Sequence, residues 1–152
     1  MDILENVQAI GEYTFEGYDS DGNLVDKQVY HNVITQNFFT GVMKLLNAAT
    51  GDDIHLTHMA TGTGTNTAAK ADTALQTEYF RKAISSKSYT TTQFIAKLSL
   101  GTTESNTTIR EVGVFANATD TPGSGKLISR CNVNIAKNVN ITYLVTYKLT
   151  LI

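Results

Sequence analysis

Thr108-Ile109-Arg110-Glu111-Val112-Gly113-Val114-Phe115 is the stretch from which the fold of this chain can be worked out. Five of these eight residues are β-branched or aromatic, which is the composition of a β-strand. At a period of two, Ile109, Glu111, Gly113 and Phe115 take one face, and Arg110, Val112 and Val114 take the other. Each face is mostly apolar with one charge set into it. An edge strand with a wet side would carry its charges on that side alone, so this strand is expected at the centre of a sheet. A half-buried charge without a partner is costly. The nearest stretch of similar texture is Leu75-Gln76-Thr77-Glu78-Tyr79-Phe80-Arg81-Lys82, and the expected structural pairing sets Glu78 and Arg81 against Arg110 and Glu111.

Further strands follow on both sides. Tyr13 and Phe15, then Leu24, Val25, Val29, Tyr30 and Val33, flank the turn Asp19-Ser20-Asp21-Gly22-Asn23 as in a hairpin. Strands are expected over Ile54–Ala60, Phe80–Ser88, Tyr89–Leu100 and Leu127–Ile135, with a hairpin loop over Asn117–Gly125. The last strand has one apolar face from Val139 through Ile141, Tyr143, Val145, Tyr147 and Leu149 to Leu151. At about twelve residues it is longer than usual, and it is expected to offer an edge to a neighbouring chain. The single helix falls near residues 35–48, with Thr35 as N-cap and an apolar stripe of Phe38, Val42, Leu45 and Leu46 widened by Phe39 and Met43. A stripe this wide predicts a helix packed against a sheet, and Gly41 in its middle points the same way. The expectation is one domain over residues 1–152: an N-terminal hairpin (1–34), the helix (35–48), and the main body (54–152). Its fold class is an all-β, antiparallel, jelly-roll-like β-sandwich of about seven to eight strands.

Composition agrees and narrows function. The chain has 152 residues, 41% hydrophobic and 17% charged, and the charged share is below the usual quarter. Its formal net charge of −2 supplies no basic field for nucleic acid or an anionic membrane. No run approaches the roughly 18 apolar residues of a membrane span. Met1-Asp2-Ile3-Leu4-Glu5 lacks the basic start of a signal peptide.

Each feature that suggests chemistry has a plainer structural reading. The Asp19–Asn23 turn places oxygen ligands on alternate residues, but the Gly and Glu that complete a calcium loop are missing, so a hairpin turn is expected. His55 and His58, near Asp52 and Asp53, are an odd number apart; a strand sends them to opposite faces, away from any shared metal. Gly62-Thr63-Gly64 with the later Lys70 does not match a phosphate loop, and a flexible polar loop over Thr61–Thr67 is expected. Cys131, the one cysteine, lies mid-strand with no nearby His and reads as a small buried residue. No catalytic residue, metal or cofactor is expected.

Four segments recur in one order: His58-Met59-Ala60-Thr61-Gly62-Thr63-Gly64-Thr65; Asp72-Thr73-Ala74-Leu75-Gln76-Thr77-Glu78 with Phe80-Arg81-Lys82; Ile109-Arg110-Glu111-Val112-Gly113-Val114-Phe115; and Gly125-Lys126-Leu127-Ile128-Ser129-Arg130. The series resembles that of tailed-bacteriophage structural proteins of the tail-fibre, tail-collar and baseplate type, over Asn32 to the C-terminus. The resemblance implies a non-enzymatic virion component, assembled in the bacterial cytoplasm. It also implies a homo-oligomer, often a trimer, in contact with other tail or virion proteins. Such proteins usually continue into a repetitive shaft and receptor-binding tip; a chain ending at Ile152 is expected to be an attachment or decoration module. The alternative is a carbohydrate-binding sandwich, a receptor-binding or capsid-decorating domain. There Tyr89, Tyr143 or Tyr147 would stack on the rings of a host surface glycan.

Overall fold

The computed structural model describes residues 7–47 and 54–152. Its elements are β1 (Ala9–Tyr18), β2 (Leu24–His31), β3 (Val33–Ile34), α1 (Gln36–Leu46), β4 (Leu56–Gly62), β5 (Glu78–Ala83), β6 (Ser86–Tyr89), β7 (Gln93–Leu100), β8 (Thr108–Ala116), β9 (Lys126–Ala136) and β10 (Thr142–Leu151). They form two five-stranded antiparallel sheets, one ordered β2-β1-β10-β7-β6 and the other β3-β9-β8-β4-β5. The described residues are all-β with a sandwich-like arrangement and one helix. β8 is the middle strand of its sheet, as its two mostly apolar faces require.

The core fills the space between the sheets. The β2-β1-β10-β7-β6 sheet contributes Tyr13, Phe15, Leu98, Tyr143, Val145 and Tyr147, and the other sheet contributes Met59, Val112, Val114, Ile128 and Ile135. Burying a large side chain of this kind stabilises by about 1.5–3 kcal/mol. Tyr13 pairs with Tyr147 across β1 and β10, ring centroids 4.9 Å apart. Its hydroxyl crosses to the opposite sheet to meet Ser129 Oγ at 2.6 Å, so a buried phenol finds a partner. A second, smaller cluster of Ala60, Leu75, Phe115 and Leu127 lies on the outer side of β4, β8 and β9, under the segment that joins β4 to β5.

Several expectations change at the level of tertiary structure. Phe80–Ser88 reads as one strand, yet the chain breaks it at Ile84–Ser85. The Ile84 amide donates to Thr57 O in one sheet and the next amide, Ser85, donates to Lys97 O in the other. With β6 thus separate and the two-residue β3 added, ten strands are present among the described residues. β10 is no edge: β1 and β7 flank it on both sides, so its length serves the interior of the sheet. The strict alternation in β8 fails at Arg110, where the register against β9 shifts. Ile109 therefore joins Val112 and Val114 in the inter-sheet core instead of sharing a face with Glu111.

The helix departs most. Thr35 occupies the N-cap position but makes no capping bond; its hydroxyl donates to Leu127 O at 2.6 Å and Ile128 O at 3.1 Å, fixing the helix start to β9. Phe38 packs against the core, and Gly41 is buried where Ile54 presses on the helix backbone. Phe39, Met43, Leu45 and Leu46 are exposed, so only part of the stripe is packed. The helix end expected at Ala48, the following acidic turn with Asp52 and Asp53, and Met1–Glu5 lie outside the described residues.

Candidate functional site

The charged residues of the ordered motifs converge on the outer side of the β3-β9-β8-β4-β5 sheet. Glu111, central in β8, and Arg130, in β9, are diagonal neighbours on adjacent strands, since Glu111 lies opposite Asn132 and Gly113 opposite Arg130. Both are buried, with side chains 0% and 1% exposed. Arg130 Nε donates to Glu111 Oε2 at 3.0 Å, and its terminal nitrogen stands 2.8 Å from the same oxygen. The guanidinium also reaches Asp72 Oδ2 at 2.8 Å, Asn66 O at 3.1 Å and the Asn66 side-chain oxygen. The Glu111 carboxylate accepts three backbone N–H groups besides: Gly64 at 3.0 Å, Gln76 at 2.9 Å and Thr77 at 2.7 Å. A buried carboxylate is tolerable only when its lone pairs are filled in this way.

This arrangement explains the glycines of the first motif. A β-carbon on Gly62 or on Gly64 would stand 2.5 Å from Glu111 Oε1, and on Gly62 it would also strike the Thr77 carbonyl. The loop after β4 must run against the carboxylate with bare backbone. The flexible polar loop expected over Thr61–Thr67 is therefore pinned at its start, with Thr61, Gly62 and Gly64 buried. Thr61 Oγ1 meets Ser105 Oγ at 2.6 Å. Farther along, Gln76 Oε1 accepts the amides of Thr65 and Asn66, both at 2.8 Å, and Asn132 Oδ1 accepts that of Ala68 at 2.8 Å. Asp72 Oδ2 accepts Ala69 N at 2.8 Å, which orients it for Arg130. Residues 63–77, which form neither helix nor strand, are thus laced to β8 and β9.

A second cluster holds the loop between β8 and β9. Arg81 and Glu78 form a two-pronged pair, Nε to Oε2 at 2.9 Å and the terminal nitrogen to Oε1 at 2.7 Å. Arg81 lies over the Phe115 ring at 4.6 Å and donates to Thr119 O at 3.1 Å and Ser124 O at 3.0 Å. His58 Nε2 contacts Asp120 Oδ1 at 3.0 Å, on the same loop. Of the four residues expected to pair across two stretches, then, Glu78 and Arg81 pair with each other, Glu111 takes Arg130, and Arg110 is exposed. The reason is the β8–β9 register: it places Arg130, not Arg81, diagonal to Glu111. Arg130 belongs to the fourth ordered motif, but nothing in its local sequence sets it apart from Arg81 or Arg110.

The other candidates resolve simply. Asp19 Oδ1 accepts the amides of Asp21 at 3.0 Å and Asn23 at 2.9 Å, and these bonds hold its carboxyl below the usual range; Gly22 takes the left-handed conformation, φ 81°, of a hairpin turn. Cys131 is buried, and burial pushes its thiol up to about 11. That thiol is protonated and unreactive at neutral pH. Among the described residues, no group of three His, Cys, Asp or Glu is placed to hold a metal. Tyr143 and Tyr147 are buried in the core, which removes them as sugar-stacking residues, while Tyr89 is exposed. Among the described residues, no helix is long and apolar enough to cross a membrane.

Residues 27–134, well over half the chain, match the family of the phage tail-collar fibre protein, N-terminal domain. The chain belongs to this family. Comparison with curated proteins and with solved structures returned no match. The tail-collar match includes both charge clusters, α1 and nearly all of the β3-β9-β8-β4-β5 sheet. β1 and β10, at the middle of the opposite sheet, lie outside it. The family makes this chain a phage tail structural protein and a virion component.

Proposed function

We propose that this tail-collar fibre chain is a non-enzymatic attachment module that works as a homo-oligomer, a trimer, joined to other tail proteins in virions assembled in the bacterial cytoplasm. The observation that carries this reading is what its buried charges do. Glu111, Arg130, Glu78 and Arg81 are engaged by one another and by backbone groups of the two loops they hold. Residues in that state rigidify a surface. The near-neutral Thr- and Asn-rich composition suits a module that meets other proteins. The sugar-binding alternative keeps Tyr89 alone of its three aromatics.

The test is the solution mass by light scattering over a concentration series. A mass of three chains that persists on dilution is expected. A single-chain mass at every concentration would overturn the oligomeric reading, and a glycan screen with Tyr89→Ala as control would then decide for or against the sugar binder.

A further inference from the structure

We infer that the exposed face of α1, together with the adjoining ends of β1 and β10, is the surface through which copies of this chain meet. The inference rests on the oligomeric reading above and says where the contact lies.

Three observations converge on a second copy as the occupant. The first is area. Val7, Ile10, Phe39, Met43, Leu46 and Leu151 are exposed by 39% to 77%, and at roughly 150–200 Å² for a large side chain they present on the order of 600 Å² of apolar surface. A standard interface buries about 800 Å² per partner, a little over half of it apolar, so the patch suffices for one stable contact. It also stands at the upper end of what a lone soluble chain exposes. Val7, Phe39, Met43 and Leu151 line one cavity and Ile10 and Phe39 another, and Leu46 adjoins Met43 at i,i+3 on the helix.

The second observation is shape. The patch carries both projections and recesses. Met43 and Leu46 project from one side of the helix, at 61% and 77% exposure. Beside them is a cavity of about 290 Å³ walled by Val7, Phe38, Phe39, Val42 and Leu151. A second, of about 260 Å³, opens beyond Phe38 between Leu56, Phe94 and Leu149. Each has room for one or two aliphatic side chains of the kind the same patch offers. A surface holding both halves of the fit can close a ring of identical copies.

The third is charge. Lys44 is the only charged residue in α1, which has no acidic residue in its first turn. A charged partner or a sugar would find few groups to pair with, whereas a second copy brings an equally apolar surface on which the flexible Lys44 stem can keep its ammonium in water.

The test uses the full chain, with Met43→Glu on the patch and Val29→Glu, an exposed apolar position on β2, as control. Far-UV circular dichroism and thermal midpoints near that of the parent establish folding. The expected result is a parent and a Val29→Glu protein of equal oligomeric mass, and a Met43→Glu protein that runs as a single chain with self-affinity weakened at least ~100-fold. As a second readout, Met43→Cys treated with a bismaleimide should yield covalently joined chains, since Cys131 is buried. If the parent is oligomeric while Met43→Glu stays so and Met43→Cys fails to cross-link, the location is overturned and the oligomeric reading stands. A parent that is monomeric throughout overturns both.

Discussion

Arg130→Ala tests the central physical claim, that a buried guanidinium and a buried carboxylate stabilise the domain by satisfying each other. The substitution leaves Glu111, 0% exposed, without its counter-ion, and removes the guanidinium contacts to Asp72 and Asn66. Breaking a buried pair by deleting one partner costs about 3–5 kcal/mol, because the remaining charge stays desolvated. For a domain of this size each kcal/mol moves the thermal midpoint by about 2–4 °C, so a fall of roughly 10 °C is expected, with ~6 °C as the lower bound. The assay is thermal unfolding at neutral pH by circular dichroism. It is paired with limited proteolysis, in which residues 63–77 should become the preferred cleavage region. Glu111→Ala should cost more, since it also orphans the amides of Gly64, Gln76 and Thr77. The double variant should lose less than the sum of the singles, as expected for residues in direct contact. A midpoint within ~3 °C of the parent for Arg130→Ala would refute the claim.

Two further outcomes follow from single residues. Helix propensity alone says that Gly41→Ala should stabilise by up to ~1 kcal/mol, but the new methyl would occupy the space of Ile54 Cγ2. Overpacking of about 1–3 kcal/mol should win, and the denaturant midpoint should fall; a rise would mean that Ile54 does not press on the helix. Glu104 gives a pH dependence. Burial opposes its ionisation, yet the Gly101 amide and the Lys82 ammonium outweigh burial and hold its carboxyl below the usual range. Its folded value lies below its unfolded one, so its contribution is complete above the unfolded value near about 4.3 and lost as pH falls through the lower folded value. Glu104→Gln should therefore lower the midpoint at neutral pH and flatten its decline in acid, and parallel declines in the two proteins would count against this assignment.

Most of the strand pattern and the class of the fold were legible in the sequence. Alternation is a local property: Tyr143, Val145 and Tyr147 face the core because strand side chains alternate, whatever the strand's neighbours. The central place of β8 was likewise readable, since two apolar faces leave a strand nowhere else to lie. The ordered motifs identified the family, because a Gly-x-Gly loop, an acid mid-strand and an Arg five residues after a loop glycine must stay in order to meet.

What only the tertiary structure decided was which residues meet. Glu111 is 19 residues from Arg130 in sequence, and nothing local distinguishes that arginine from Arg81 or Arg110. The β8–β9 register, with its two shifts, selects it. The break at Ile84–Ser85 was equally hidden, because adjacent amides can turn to opposite sheets only when both sheets exist. The exposure of the apolar stripe of α1 is hidden from the sequence for a related reason. Periodicity reports that a helix has an apolar face, and the surrounding strands determine how much of that face the chain itself can cover.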